Sequence, residues 1–75
     1  MTYLPDSVKR IALTGANVVI DANDYLPETV HEIISAAKSV GANISILNAS
    51  RYLPATTEGL ARAGGKNVTV YLSNH

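Results

Sequence analysis

The chain has 75 residues, six basic and six acidic side chains with no run of like charge, and no cysteine. A neutral, evenly charged chain lacks the electrostatic basis for binding nucleic acid or an anionic membrane surface, and without thiols it has no disulfide and only His31 and His75 as imidazole ligands for a metal. At this length burial roughly cancels an ordering cost of about 1.5 kcal/mol per residue, so surface buried against further copies is the readiest extra support.

The N-terminus, Met1 to Asp6, has neither the basic start nor the apolar core of a signal peptide, and no apolar run approaches the length of a membrane span. The expectation is a cytoplasmic protein. Leu4, Val8 and Ile11 follow at i, i+4 and i+7, which predicts one helical face. Pro5 suits the first helical position, Asp6 and Ser7 suit the first turn with its free amides, and Thr14-Gly15-Ala16 suits the stop. Asn17 to Asp21, rich in β-branched residues, reads as a strand. The same stretch admits a second reading: Val8 to Leu13 as a strand, Thr14 to Asn17 as a turn, and Val18 onward as its hairpin partner.

Further along, Leu26, Val30, Ile33, Ala37 and Val40 mark a helical stripe that Ile34 widens, with Glu28 and Thr29 opening it and Gly41 ending it. His31, Glu32, Ser35 and Lys38 form its polar side, and Ala42 to Leu47 reads as the next strand. The third stretch repeats the scheme: Leu53, Thr57 and Leu60 on an inner face, Gly64-Gly65 as the stop, and Asn67 to Leu72 as the strand.

These three stretches are copies of one unit. Tyr3-Leu4-Pro5-Asp6-Ser7, Tyr25-Leu26-Pro27-Glu28-Thr29 and Tyr52-Leu53-Pro54-Ala55-Thr56 use every proline in the chain, and Pro27 follows Pro5 by 22 positions while Pro54 follows Pro27 by 27. Each copy runs helix, glycine, Asn-[Val/Ile], strand, and a fourth Tyr-Leu-Pro is due where Ser73-Asn74-His75 stands. The expectation is a single α/β domain over residues 1–75, built of three helix–strand repeats. Its short parallel sheet has order 1-2-3 through right-handed crossovers, with the helices on one face in a solenoid-like stack. Strand alternation then turns Val18, Ile20, Ile44, Ile46, Val68, Val70 and Leu72 toward the helices, and Val19, Asp21, Ser45, Leu47, Thr69 and Tyr71 away from them.

With Leu4-Pro5, Leu26-Pro27 and Leu53-Pro54 each at a helix start, the chain resembles the leucine-rich-repeat proteins, whose bacterial members often carry Leu-Pro at the start of the convex segment. What the resemblance implies is a similar construction, a strand ladder with one strand per unit.

Ligands of parallel sheets with helical crossovers usually bind beyond the carboxyl ends of the strands. The polar clusters due there are Asp21, Asn23 and Asp24; Asn48, Ser50 and Arg51; and Ser73, Asn74 and His75. Asp21, Asp24, Asn48 and Arg51 are the candidate ligand rim, and Asp24 and Arg51, equivalent by repeat, are expected to form an ion pair. A calcium loop is not indicated, because its glycine and distal glutamate are missing. His31 has Glu28 and Glu32 beside it but no serine or cysteine nucleophile placed to use it. Thr14-Gly15-Ala16 and Gly64-Gly65-Lys66 follow helices and precede strands, the reverse of the order a phosphate cradle needs, and are read as helix caps. Tyr3, Tyr25 and Tyr52 are expected to stack as a ladder, each packed on the neighbouring loop with its hydroxyl bonded locally.

No catalytic set gathers, and no cofactor or metal is expected. The reading is a non-enzymatic protein-interaction or self-assembly module; the alternative is a small-molecule or carbohydrate-binding domain using the rim. With helices on one face only, Val19, Leu47 and Tyr71 stand on the uncovered side of a parallel sheet, and such sheets are ordinarily covered on both faces. They are the candidate self-association face, and the expected assembly is a homo-oligomer, a two-fold dimer formed face to face or edge beside edge.

Overall fold

In the computed structural model, which describes residues 3–73, each of the three prolines opens a helix: α1 (Pro5–Leu13), α2 (Pro27–Ser39) and α3 (Pro54–Gly64). A residue before proline is held extended, and Leu4, Leu26 and Leu53 have ψ of 148°, 155° and 148°. Each of these leucines caps its helix with its backbone alone, its carbonyl accepting from the amide of Val8, Val30 or Thr57 at 3.0 to 3.1 Å. The chain leaves each helix through a glycine of positive φ, at Gly15, Gly41 and Gly65.

Strands β1 (Val18–Asp21), β2 (Ile44–Leu47) and β3 (Val68–Val70) follow their helices and form one parallel sheet in the order β1-β2-β3. Equivalent residues sit in register, Val18 beside Ile44 and Ile44 beside Val68. The chain is thus α/β, with three alternating helix–strand units, as the repeat implies. The hairpin alternative for residues 8–20 fails: Val8 to Leu13 is helical, and β1 pairs with the distant β2. Two short 3-10 turns, η1 (Ala49–Arg51) and η2 (Gly65–Asn67), flank the third helix and have no counterpart in the first two units.

The core lies between sheet and helices. Val8 and Ala12 of α1, Val30, Ile33, Ile34 and Ala37 of α2, Leu60 of α3, and Ile20, Ile44 and Ile46 of the strands are buried, with Val18, Val68 and Val70 packed against them. The expected helical stripes are right in their middles and wrong at their ends. Leu4, Leu26 and Leu53 are 73%, 67% and 74% exposed, because a helix cap held extended by the following proline no longer follows the helical period. Val40, the C-cap of α2 with non-helical backbone, is exposed as well, and Ile11 yields its place to Ala12. Leu72, expected to face the helices, is exposed because β3 ends at Val70.

Gly64 does more than stop α3. A Cβ placed on it falls 2.0 Å from Val68 Cγ2 and 3.0 Å from Ile34 Cγ2, so the absence of a side chain is what lets α3 close onto β3 beside α2.

Candidate functional site

At the carboxyl end of β1, Asp21 Oδ1 accepts from the amide of Asn23 at 2.8 Å, closing an Asx turn. Its other oxygen accepts from Asn48 Nδ2 at 3.0 Å, across the step from the first unit to the second. The Asn23 amide first, then the Asn48 side chain, hold the Asp21 carboxyl below its ordinary pKa, since both bonds favour the charged form. Asn48 itself adopts left-handed backbone (φ 58°), which asparagine tolerates, and its carbonyl receives the amide of Arg51 to close the 3-10 turn.

The expected Asp24–Arg51 ion pair does not form. Ion pairs among the described residues are Lys9–Glu32 at 3.0 Å, Lys9–Asp6 at 3.9 Å and Arg62–Glu58 at 2.8 Å. The loop before Tyr25 is an Asx turn while the loop before Tyr52 is a 3-10 turn, so residues equivalent in sequence do not meet in space. The four rim residues therefore divide: Asp21 and Asn48 bond each other, while Asp24 and Arg51, both exposed, flank a shallow groove floored by Tyr25 and Tyr52.

The tyrosine ladder exists, and its bonds run between units rather than locally. Tyr25 donates its hydroxyl to the carbonyl of Tyr3 at 2.8 Å, and Tyr52 donates to the carbonyl of Tyr25 at 2.5 Å. Burial pushes both phenols above their ordinary pKa of 10.0, which keeps them protonated as donors. A second relay runs at the other end of the strands. Asn43 donates its amide to Asn17 Oδ1 at 3.1 Å, and Asn67 Nδ2 donates to the carbonyl of Ala42 at 3.0 Å. The sequence shows these asparagines as a repeated position, but the repeat alone assigns them no role; their partners are set by a strand register that only the folded chain defines.

Between helices, Lys9 of α1 reaches Glu32 of α2, and this contact raises the Lys9 pKa through its hydrogen bond and the carboxylate charge. His31 is exposed on α2 and lines a groove with Gly59 and Leu60 of α3. Among the described residues, no three His, Cys, Asp or Glu side chains cluster as a metal site demands. Asn74 and His75 lie outside the described residues, and Ser50 is exposed.

Of the candidate self-association face, Val19 is 63% exposed while Leu47 and Tyr71 are half-buried. Asp21, Ser45 and Thr69 share that face, so it is mixed rather than apolar. Among the described residues, no helix is long and apolar enough to cross a membrane. Compared with known proteins, the chain matches no family model, no curated protein and no solved structure.

Proposed function

We propose that the chain is a non-enzymatic self-assembly or protein-interaction module. The observation that carries this reading is the division of labour inside Tyr-Leu-Pro. Proline starts each helix, tyrosine ties each unit to the one before, and leucine caps the helix with backbone atoms that any residue has. The leucine side chains are left as a repeated exposed set at Leu4, Leu26 and Leu53, which neither core packing nor helix capping accounts for. Exposed apolar side chains gathered on one surface are a mark of protein contact.

Two further features agree. The polar groups with chemical potential, Asp21, Asn48, Tyr25 and Tyr52, are engaged in bonds between units. Strands β1 and β3 are both edges of the sheet, each with one side open to a further strand.

Sedimentation of the folded protein from micromolar to millimolar concentration tests the reading. It expects a mass that rises with concentration. A folded monomer at millimolar concentration, together with a small molecule or sugar bound in the Asp24–Arg51 groove and released by Arg51→Ala, would instead establish the binding-domain alternative.

A further inference from the structure

The two ends of the sheet are complementary to each other. Along β1, Val18 and Ala22 donate toward β2, so alternation turns the amide and carbonyl of Val19 and the amide of Asp21 to the open edge, while the Asp21 carbonyl accepts from the amide of Asp24 at 3.0 Å. Along β3, Tyr71 donates to Ile46 of β2, so alternation turns those of Val70 outward. Taken in the register that joins β1 to β2, the open side of β3 is the side that receives a following strand, and the open side of β1 is the side that a preceding strand meets.

The ladder ends match in the same way. Tyr52 offers its carbonyl and Tyr3 its hydroxyl, and among the described residues neither has a partner, although Tyr-to-Tyr bonds of that kind join every internal pair of units. Charge completes the match. The internal pair Lys9–Glu32 joins the fourth residue after proline in one unit to the fifth in the next. Applied beyond the third unit, that rule sets Glu58, fourth after Pro54, against Arg10, fifth after Pro5 of another copy: an opposite pair with its sign reversed. Arg10 has no acidic partner among the described residues, and Glu58 is held only by Arg62 of its own helix. Each end also carries a groove: Tyr3, Ile11 and Val18 line one together with Asp21 and Asp24, and Tyr52, Thr57 and Leu72 line the other together with Glu58.

We propose that copies of this chain stack head to tail, the β3 edge of one pairing in parallel with the β1 edge of the next, with Glu58 against Arg10 and Tyr3 against the carbonyl of Tyr52. The proposal rests on the self-assembly reading and makes it specific: the partner is a second copy, the contact is heterologous, and nothing in it closes the assembly at two. A two-fold contact at either edge would instead bring like ends together, β1 against β1 or β3 against β3.

The test is a charge exchange read by sedimentation velocity, with circular dichroism confirming that each variant is folded. Arg10→Glu alone and Glu58→Arg alone each put like charges at the contact and are expected to weaken association roughly tenfold. The double variant Arg10→Glu/Glu58→Arg, neutral overall like the wild type, restores it, and the two single variants mixed in equal amounts associate more tightly than either does alone. The wild-type mass grows past two copies with concentration. A wild-type mass that stops at two copies, ignores the exchange and falls with Leu47→Glu overturns head-to-tail stacking and leaves the self-assembly reading standing as a face-to-face dimer. A wild type that stays a folded monomer at millimolar concentration overturns both.

Discussion

The middle unit and the end units have the same plan and different completeness. Ile33, Ile34, Ile44, Ile46 and Val30, the largest fully buried side chains, all belong to α2 and β2. Their counterparts outside are thinner: α1 buries only Val8 and Ala12, α3 only Leu60 and Gly64, and no residue of β3 is fully buried. The middle unit has a neighbour on each side, and each end unit has one. Apolar burial contributes in proportion to the area removed from water, so a unit covered on both sides gains more than one covered on a single side. The chain is closed at its centre and still has surface to bury at its ends.

The largest loss is expected at the centre. Ile33→Ala removes a wholly buried side chain from the middle of the core, and a loss of about 2 to 5 kcal/mol in urea unfolding is expected. For a domain of this size that approaches the entire stability. A loss under about 1 kcal/mol would mean that α2 does not present this face to the sheet.

Next in size is Gly64→Ala. The added methyl meets the stiff, branched Val68 at 2.0 Å and has Ile34 behind it, so α3 must lift from β3. A loss of about 1 to 3 kcal/mol is expected, the usual cost of overpacking. Gly59→Ala is the control, because a Cβ there meets nothing within 4 Å.

Smaller again is the tie between units. Tyr52→Phe keeps the ring and removes the bond to the Tyr25 carbonyl, with an expected loss of about 0.5 to 1.5 kcal/mol. Burial of the same phenol gives a pH signature. The Tyr52 pKa is raised in the folded chain, so its contribution is complete below the unfolded value near 10.0 and is lost as pH rises through the higher folded value. Base titration of wild type against Tyr52→Phe shows this as a difference that narrows in alkali.

The smallest effect is at the rim. The Asp21 pKa is lowered by the Asn23 amide and the Asn48 side chain, so its contribution is present above the unfolded carboxylate value and is lost as pH falls through the folded one. Asp21→Ala is expected to lower the neutral-pH stability slightly, with the difference from wild type narrowing as pH falls through the folded Asp21 value. Arg51→Ala, which removes an exposed side chain that has no ion pair among the described residues, is expected to change stability at neither neutral nor acid pH.

How much of this is legible in the sequence follows from where each signal resides. Helix starts and stops rest on proline and glycine, which act through their own backbone, so Pro5, Pro27, Pro54 and Gly41 can be read one residue at a time. Sheet order follows because the repeat ties each strand to its neighbour. The helix-facing stripe is legible only inside the helix, and Leu4, Leu26 and Leu53 are misread as core because periodicity says nothing about a residue held extended before proline. The candidate rim is half legible. Its location is set by topology, but whether Asp21 meets Asn48 or Asp24 meets Arg51 depends on an Asx turn in one loop and a 3-10 turn in the other. Lys9–Glu32 and the Tyr-to-carbonyl bonds depend on register between units and have no local mark at all.

Amide hydrogen exchange, followed residue by residue in dilute and in concentrated protein, tests most directly the claim that the centre is complete and the ends are not. In dilute protein the account predicts slowest exchange in α2 and β2, faster exchange in α1 and β3, and little protection at the outward amides of Val19, Asp21 and Val70. In concentrated protein those three amides slow while β2 stays as it was. Equal protection across all three strands, unchanged by concentration, would contradict it.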